Sequence, residues 1–110
     1  MKKLKQKNYI IIPRDKNEYF INKYMLDKSK IDKMLLLLRE EDMQYELEDN
    51  EYLKYGSENL IVFKKEYELT NFYGNNKREV IYIKIKMKDK ALPIISFHLD
   101  ELIILIKIFN

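Results

Sequence analysis

The sequence predicts one small α+β domain spanning residues 1–110, with an antiparallel β-sheet packed on two or three helices. Three observations predict it. A length of 110 residues suits one domain, and a 46% hydrophobic composition with 9 Tyr and 5 Phe supplies a core that a disordered chain lacks. Apolar residues recur at helical spacing up to about residue 38, and they alternate at period two after residue 59.

Residues 8–12 form a short apolar run closed by Pro13 and read as a first strand. From Asp15 the pattern turns helical. Phe20, Ile21, Tyr24 and Met25 recur at i, i+1, i+4, i+5, with Asp15 or Asn17 as the N-cap. A break at Asp27-Lys-Ser29 precedes a second helix, which Ser29 and Asp32 open in a capping-box-like arrangement. Ile31, Met34, Leu35 and Leu38 give it one apolar face, and Leu36 and Leu37 widen the stripe. Residues 40–58 are acidic and aperiodic and read as a long loop with room for a frayed helical turn. Three β-type runs follow at 59–69, 79–88 and 92–99, the first two separated by a turn rich in Asn and Gly. The apolar tail at 102–109 reads as a fourth strand of this group or as a segment sealing the core.

Composition removes several kinds of chemistry. With no Cys there is no disulfide scaffold, Cys-ligated zinc, iron–sulfur cluster or thiol nucleophile, and a single His excludes a His-rich metal site within one chain. Two glycines cannot build a P-loop or a dinucleotide fingerprint. The longest apolar runs, residues 34–38 and 102–106, fall far short of the ~18 residues of a membrane span. The basic, then apolar, N-terminus is too short for a signal-peptide core, so a cytoplasmic protein without membrane partners is expected. Charge is segregated. Residues 1–30 carry nine basic and three acidic side chains, residues 31–60 the reverse, and residues 61–110 nine and six. Such segregation suggests a dipolar surface with one face suited to a polyanion, while charge alone reads more simply as a solvated, lysine-rich surface.

The run at 79–88 is the clearest signal. Alternation puts Ile81, Ile83, Ile85 and Met87 on one face and Val80, Tyr82, Lys84, Lys86 and Lys88 on the other. In the run at 59–69 it puts Ile61, Phe63 and Tyr67 inside and Val62, Lys64 and Glu66 outside. In the run at 92–99 it puts Ile95, Phe97 and Leu99 inside and Ile94, Ser96 and His98 outside. Adjacent, in-register strands then gather Lys64, Tyr82, Lys84, Lys86, Ser96 and His98 on one solvated face.

Lysines, a tyrosine and a histidine without a carboxylate pair suit metal-free RNA cleavage. That reaction needs help for the attacking ribose 2′-OH, cations for the charge developing at phosphorus, and a proton donor for the 5′-oxygen. His98 has the side chain that titrates near neutrality, Lys64 and Lys84 can hold phosphate, and Tyr82 can stack on a base or orient the phosphate. Each residue also has a plain structural reading: a hydrogen-bonded strand histidine, solubilising strand lysines, a packing tyrosine. Ser96 and His98 face the same way, but no G-x-S-x-G elbow or paired acid supports acyl transfer.

In order along the chain, IIPRDKN (11–17), IDKMLLLLREED (31–42), IVFKKEY (61–67), VIYIKIKM (80–87) and IISFHLDE (94–101) resemble blocks of the MqsR-type toxins of bacterial type II toxin–antitoxin modules, which are RelE-like ribonucleases. The most specific pair is the Y-I-K strand followed by the S-F-H strand. The resemblance implies a small RelE/MqsR-like α+β fold and metal-independent cleavage of mRNA in the cytoplasm. It further implies a cognate antitoxin and no cofactor. It carries the family's active-site tyrosine onto Tyr82, followed by Lys84, and its closing basic residue onto His98. Arg14 and Lys16 fall on the P-R-x-K-N block, and Lys64 and Lys65 both fit the lysine of the V-F-x-K block. Where family members carry a lysine after the helix, this chain reads Asp42-Met-Gln-Tyr45.

The expectation is therefore an endoribonuclease toxin with His98, Tyr82, Lys64 and Lys84 as catalytic residues. Arg14, Lys16, Lys65 and Lys86 are expected to bind RNA, with no metal or cofactor site. The expected partners are mRNA, with or without the ribosome, and an antitoxin, in a homodimer or a toxin–antitoxin hetero-oligomer. The alternatives are a non-enzymatic phage or plasmid regulator using the same basic face, and a structural subunit that pairs through an exposed edge.

Overall fold

Alternating apolar residues in the second half of the chain build three long neighbouring strands, and the rest of the molecule is arranged around them. The computed structural model describes residues 8–49, 58–87 and 92–100. In chain order these form β1 (Tyr9–Ile11), α1 (Asp15–Lys23), α2 (Lys28–Leu36), a 3₁₀ turn (Glu40–Asp42), β2 (Met43–Asp49), β3 (Glu58–Thr70), β4 (Asn76–Lys86) and β5 (Leu92–Leu99). They make a five-stranded sheet in the order β1-β5-β4-β3-β2. Residues 50–57, Lys88, Asp89 and the tail at 102–109 lie outside the described residues.

The sheet is mixed, which corrects the expected antiparallel one: β1 runs parallel to β5, while the other three pairings are antiparallel. Parallel neighbours need a long connection, and here most of the chain lies between the two strands. The acidic segment opens with the 3₁₀ turn, in keeping with the helical turn expected there, but continues as a strand rather than a loop: β2 pairs with β3 from Met43↔Phe63 to Asp49↔Glu58. Ladder bonding to the free edge of β3 makes this polar stretch a strand, and charged residues suit an edge strand.

The helices cover one face of the sheet. Phe20 of α1 and Tyr24 at its C-cap, with Ile31, Met34 and Leu35 of α2, pack on Phe63, Tyr67, Ile81, Ile83, Ile85, Leu92, Ile94 and Phe97. Phe20 meets Phe97 edge to face with ring centroids 5.4 Å apart. Burial of each such large apolar side chain contributes roughly 1.5–3 kcal/mol. Leu36 and Leu37, expected to widen the buried stripe, are exposed, while Leu38 packs against the core. Two tyrosines tie the layers together: Tyr67 donates to the Met34 carbonyl at 2.5 Å, and Tyr9 donates to the buried Asp32 carboxylate. The N-cap of α2 is Asp27, whose carboxylate accepts from the Lys30 N–H at 2.9 Å, so Ser29 lies within the helix rather than capping it. The N-cap position of α1 is Arg14, with no side-chain cap, in place of the expected Asp15 or Asn17.

The β3–β4 turn closes on Asn71, whose Oδ1 accepts from the Tyr73 and Asn75 N–H groups. Gly74 stands there at φ +85°, a conformation that suits glycine because it has no Cβ to clash.

Register in β5 departs from simple alternation. Lys84 pairs with Ser96 but Ile85 pairs with Ile94, leaving Ile95 as an extra, bulged residue. The bulge turns Leu92 and Ile94 into the core on one side of it and Phe97 on the other, correcting the expectation that Ile95 faces in and Ile94 out. Asn17, wholly buried, holds the bulge. Its Nδ2 donates to the Ile95 and Ile12 carbonyls at 3.0 and 2.9 Å, and its Oδ1 accepts from the Phe97 N–H at 2.8 Å.

Candidate functional site

The face turned away from the helices carries the candidate residues in successive rows. Strand pairing sets Lys64, Tyr82 and His98 opposite one another across β3, β4 and β5, and sets Val62, Lys84 and Ser96 in the next row. Side chains directly opposite on one face stand about 4.5–5.5 Å apart at Cβ, so each row forms one surface. Arg14 reaches this face past the sheet edge, its Nη1 donating to Ser96 Oγ and to the Ile95 carbonyl, each at 3.3 Å. The residue that opens α1 is therefore tied to the β5 bulge, the same anchor that Asn17 uses.

Arg14, Lys16, Lys64, Tyr82, Lys84 and His98 all line one open depression of about 360 Å³. Ser96 and Asp100 complete its wall. Lys65 is elsewhere. It pairs with Ile81 on the helix-covered face, and its Nζ lies 3.1 Å from Asp42 Oδ2, so Lys64 rather than Lys65 supplies the lysine at this surface. Lys86 shares the outer face but is only 8% exposed, sits opposite Leu60 and does not line the depression. Of the four residues expected to bind RNA, Arg14 and Lys16 line the depression, while Lys65 and Lys86 lie away from it.

Asp100 is the residue that alternation missed. Its backbone N–H donates to the Val80 carbonyl at 2.8 Å, extending β5 pairing one residue beyond the strand. Its side chain consequently follows Ser96 and His98 onto the outer face. The signal was present in the sequence, because Ser96, His98 and Asp100 are spaced by two. The carboxylate is nearly buried and lies 3.2 Å from Lys64 Nζ.

The rings of Tyr82 and His98 are stacked, with centroids 5.6 Å apart and planes inclined by 16°, and Lys64 Nζ lies 6.0 Å from the Tyr82 centroid. Burial, first, pushes the Tyr82 phenol up to about 12, assisted by the Tyr45 hydroxyl 3.4 Å away and by the negative charge of Asp100. Tyr82 is therefore a neutral phenol at physiological pH, able to donate a hydrogen bond. His98 Nδ1 lies 2.9 Å from the Leu99 carbonyl. A carbonyl only accepts, so Nδ1 carries the proton and Nε2 is left as the nitrogen that exchanges one. Lys84 makes no ion pair among the described residues.

Such an arrangement can hold a phosphodiester. Arg14, Lys16 and Lys84 supply positive charge, the stacked pair offers aromatic surface, and His98 and Tyr82 are the protic groups. Among the described residues no group of three His, Asp or Glu side chains is placed to hold a metal ion, and no helix is long and apolar enough to cross a membrane. No protein-family model, curated protein or solved structure matches the chain.

Proposed function

We propose that the protein is an endoribonuclease that cleaves mRNA by attack of the ribose 2′-OH on the adjacent phosphorus. In this reading it is the toxin of a type II toxin–antitoxin module and acts in the cytoplasm. The observation that carries the reading is the convergence of His98, Tyr82 and Lys84 with Arg14 and Lys16 on one depression, drawn from β4, β5 and the start of α1. Arg14 and Lys84 offset the phosphate charge, and that help grows as negative charge builds on the phosphorane. His98 exchanges a proton through Nε2, and the neutral Tyr82 hydroxyl donates to a phosphate oxygen. The requirement for an adjacent 2′-OH restricts the chemistry to RNA. The cognate antitoxin then acts by covering this face.

Purified protein should cut an mRNA transcript, alone or with ribosomes, and leave the matching DNA intact. Replacing His98 by Ala should lower the rate at least about tenfold. Growth arrest and mRNA loss on induced expression, both relieved by the same substitution, would tie the chemistry to toxicity. Undiminished cleavage by the His98→Ala protein refutes the site.

A second reading is a non-enzymatic regulator that binds RNA on the same face. The Lys64–Asp100 pair favours it, because it neutralises one of the cations that a cleaving site would aim at phosphorus. Salt-dependent RNA binding without any strand scission, by the folded protein, would decide for this reading.

A further inference from the structure

We infer that Asp100 is the general base of the site and that His98 is its general acid, an assignment that rests on the ribonuclease reading. Cleavage through the 2′-OH needs two proton transfers, one from the attacking hydroxyl and one to the departing oxygen. The chain has one histidine, so a second group must take part. Asp100 is the one carboxylate among the described residues lining the depression. It stands two residues after His98 on the same face, a Cα separation of about 6.5–7 Å at strand rise. That spacing leaves room for the attacking and leaving oxygens of an in-line displacement between the two side chains.

The surroundings suit the role. Asp100 is 5% exposed and is held by Lys64 from β3. Tyr82 from β4 faces it as a neutral phenol, and Glu66, in the adjoining row, is turned toward Arg78 at 3.9 Å. In the step, the Asp100 carboxylate takes the 2′-OH proton while the 2′-oxygen bonds to phosphorus. The bond from phosphorus to the 5′-oxygen breaks, and protonated His98 gives its Nε2 proton to that oxygen. The products are a 2′,3′-cyclic phosphate and a 5′-hydroxyl, and both side chains return to their starting protonation by exchange with water.

The ion pair gains a function in this scheme. Before reaction the charge of Lys64 is offset by Asp100. As Asp100 becomes neutral, the lysine charge is released toward the phosphorane at the moment the substrate gains negative charge. An interaction stronger in the transition state than in the ground state is the kind that accelerates the step.

The test compares an RNA carrying an ordinary 5′-oxygen linkage with the same RNA carrying a 5′-bridging sulfur, a leaving group that needs no acid. The His98→Ala protein should lose at least about tenfold on the oxygen linkage and recover to within about threefold of wild type on sulfur. Asp100→Asn should lose at least about tenfold on both. Rescue of Asp100→Asn by sulfur, or full activity of that variant, overturns the assignment. So does a Lys64→Met variant that reproduces the Asp100→Asn pH profile, because Asp100 would then act only by placing the lysine. A measurement independent of the Asp100 variant's folding is the pH profile of His98→Ala on the sulfur linkage. Its acidic limb should persist, and loss of that limb would make His98 the base. Wild-type protein that cuts neither linkage refutes the ribonuclease reading itself, whereas active wild type with the wrong variant pattern refutes only the role of Asp100.

Discussion

Replacing Asn17 by Ala should destabilise the domain more than any surface change and disorganise the candidate site at a distance. The amide makes three hydrogen bonds, to the Ile12 and Ile95 carbonyls and from the Phe97 N–H, in a wholly buried position. At a net of about 1 kcal/mol per bond, and with a further cost for a buried N–H left unpaired, the loss is about 3–5 kcal/mol. For a domain of this length that lowers the melting temperature by roughly 13–20 °C. Asn17→Asp should also be costly, because it retains the acceptor for Phe97 N–H but turns both donors into acceptors facing carbonyls. Urea denaturation of the wild type and both variants measures the difference, with the slope checked for constancy. NMR shifts of Ser96 and His98 would report loss of the bulge geometry. A cost below about 1 kcal/mol for Asn17→Ala would refute the reasoning, since it would mean that the β5 bulge forms without its clamp.

Other outcomes follow from the same geometry. Tyr82→Phe keeps the ring stacked on His98 and removes the hydroxyl, so cleavage should fall at least about tenfold in steady-state assays while RNA affinity is retained. Lys84→Ala should weaken RNA binding and reduce the salt slope by about 0.7, whereas Lys65→Ala should leave binding unchanged and lower stability by up to about 1 kcal/mol through loss of its Asp42 contact. Filter binding over a salt series, with urea melts, separates the two lysines. Asp27→Ala should cost about 1 kcal/mol in the same melts, and Ser29→Ala almost nothing, because the cap of α2 is Asp27. Burial, as the largest cause, pushes up the phenols of Tyr9, Tyr24, Tyr67 and Tyr82, those of Tyr24 and Tyr82 to about 12. Unfolded phenols release their protons near pH 10, so the unfolded state then binds fewer protons and stability declines from pH 10 through about 12. Denaturant midpoints across that window, with phenolate absorbance, check it, and constant midpoints would contradict it.

The sequence by itself determined the α+β class and the faces of β3 and β4. Alternation is a local property, and the isoleucines at 81, 83 and 85 can be buried together only on one side of a strand. The same parity puts Lys64, Tyr82 and Lys84 on the opposite side, and Lys65 on the side of Phe63 and Tyr67. Asp100 was within reach of the same rule, needing only one more residue of strand. Other features had no local signal. The strand at Met43–Asp49 exists because β3 offers it an edge, and backbone hydrogen bonding across a sheet is indifferent to an acidic, aperiodic sequence. The mixed character of the sheet depends on where β1 docks, a contact between residues about eighty positions apart. Only the tertiary structure decided the bulge at Ile95. Its physical cause is the buried amide of Asn17, which binds the backbone on both sides of the extra residue. That clamp turns Ile94 inward while leaving Ser96, His98 and Asp100 outward, and it ties the start of α1, which brings Arg14 and Lys16, to the same face.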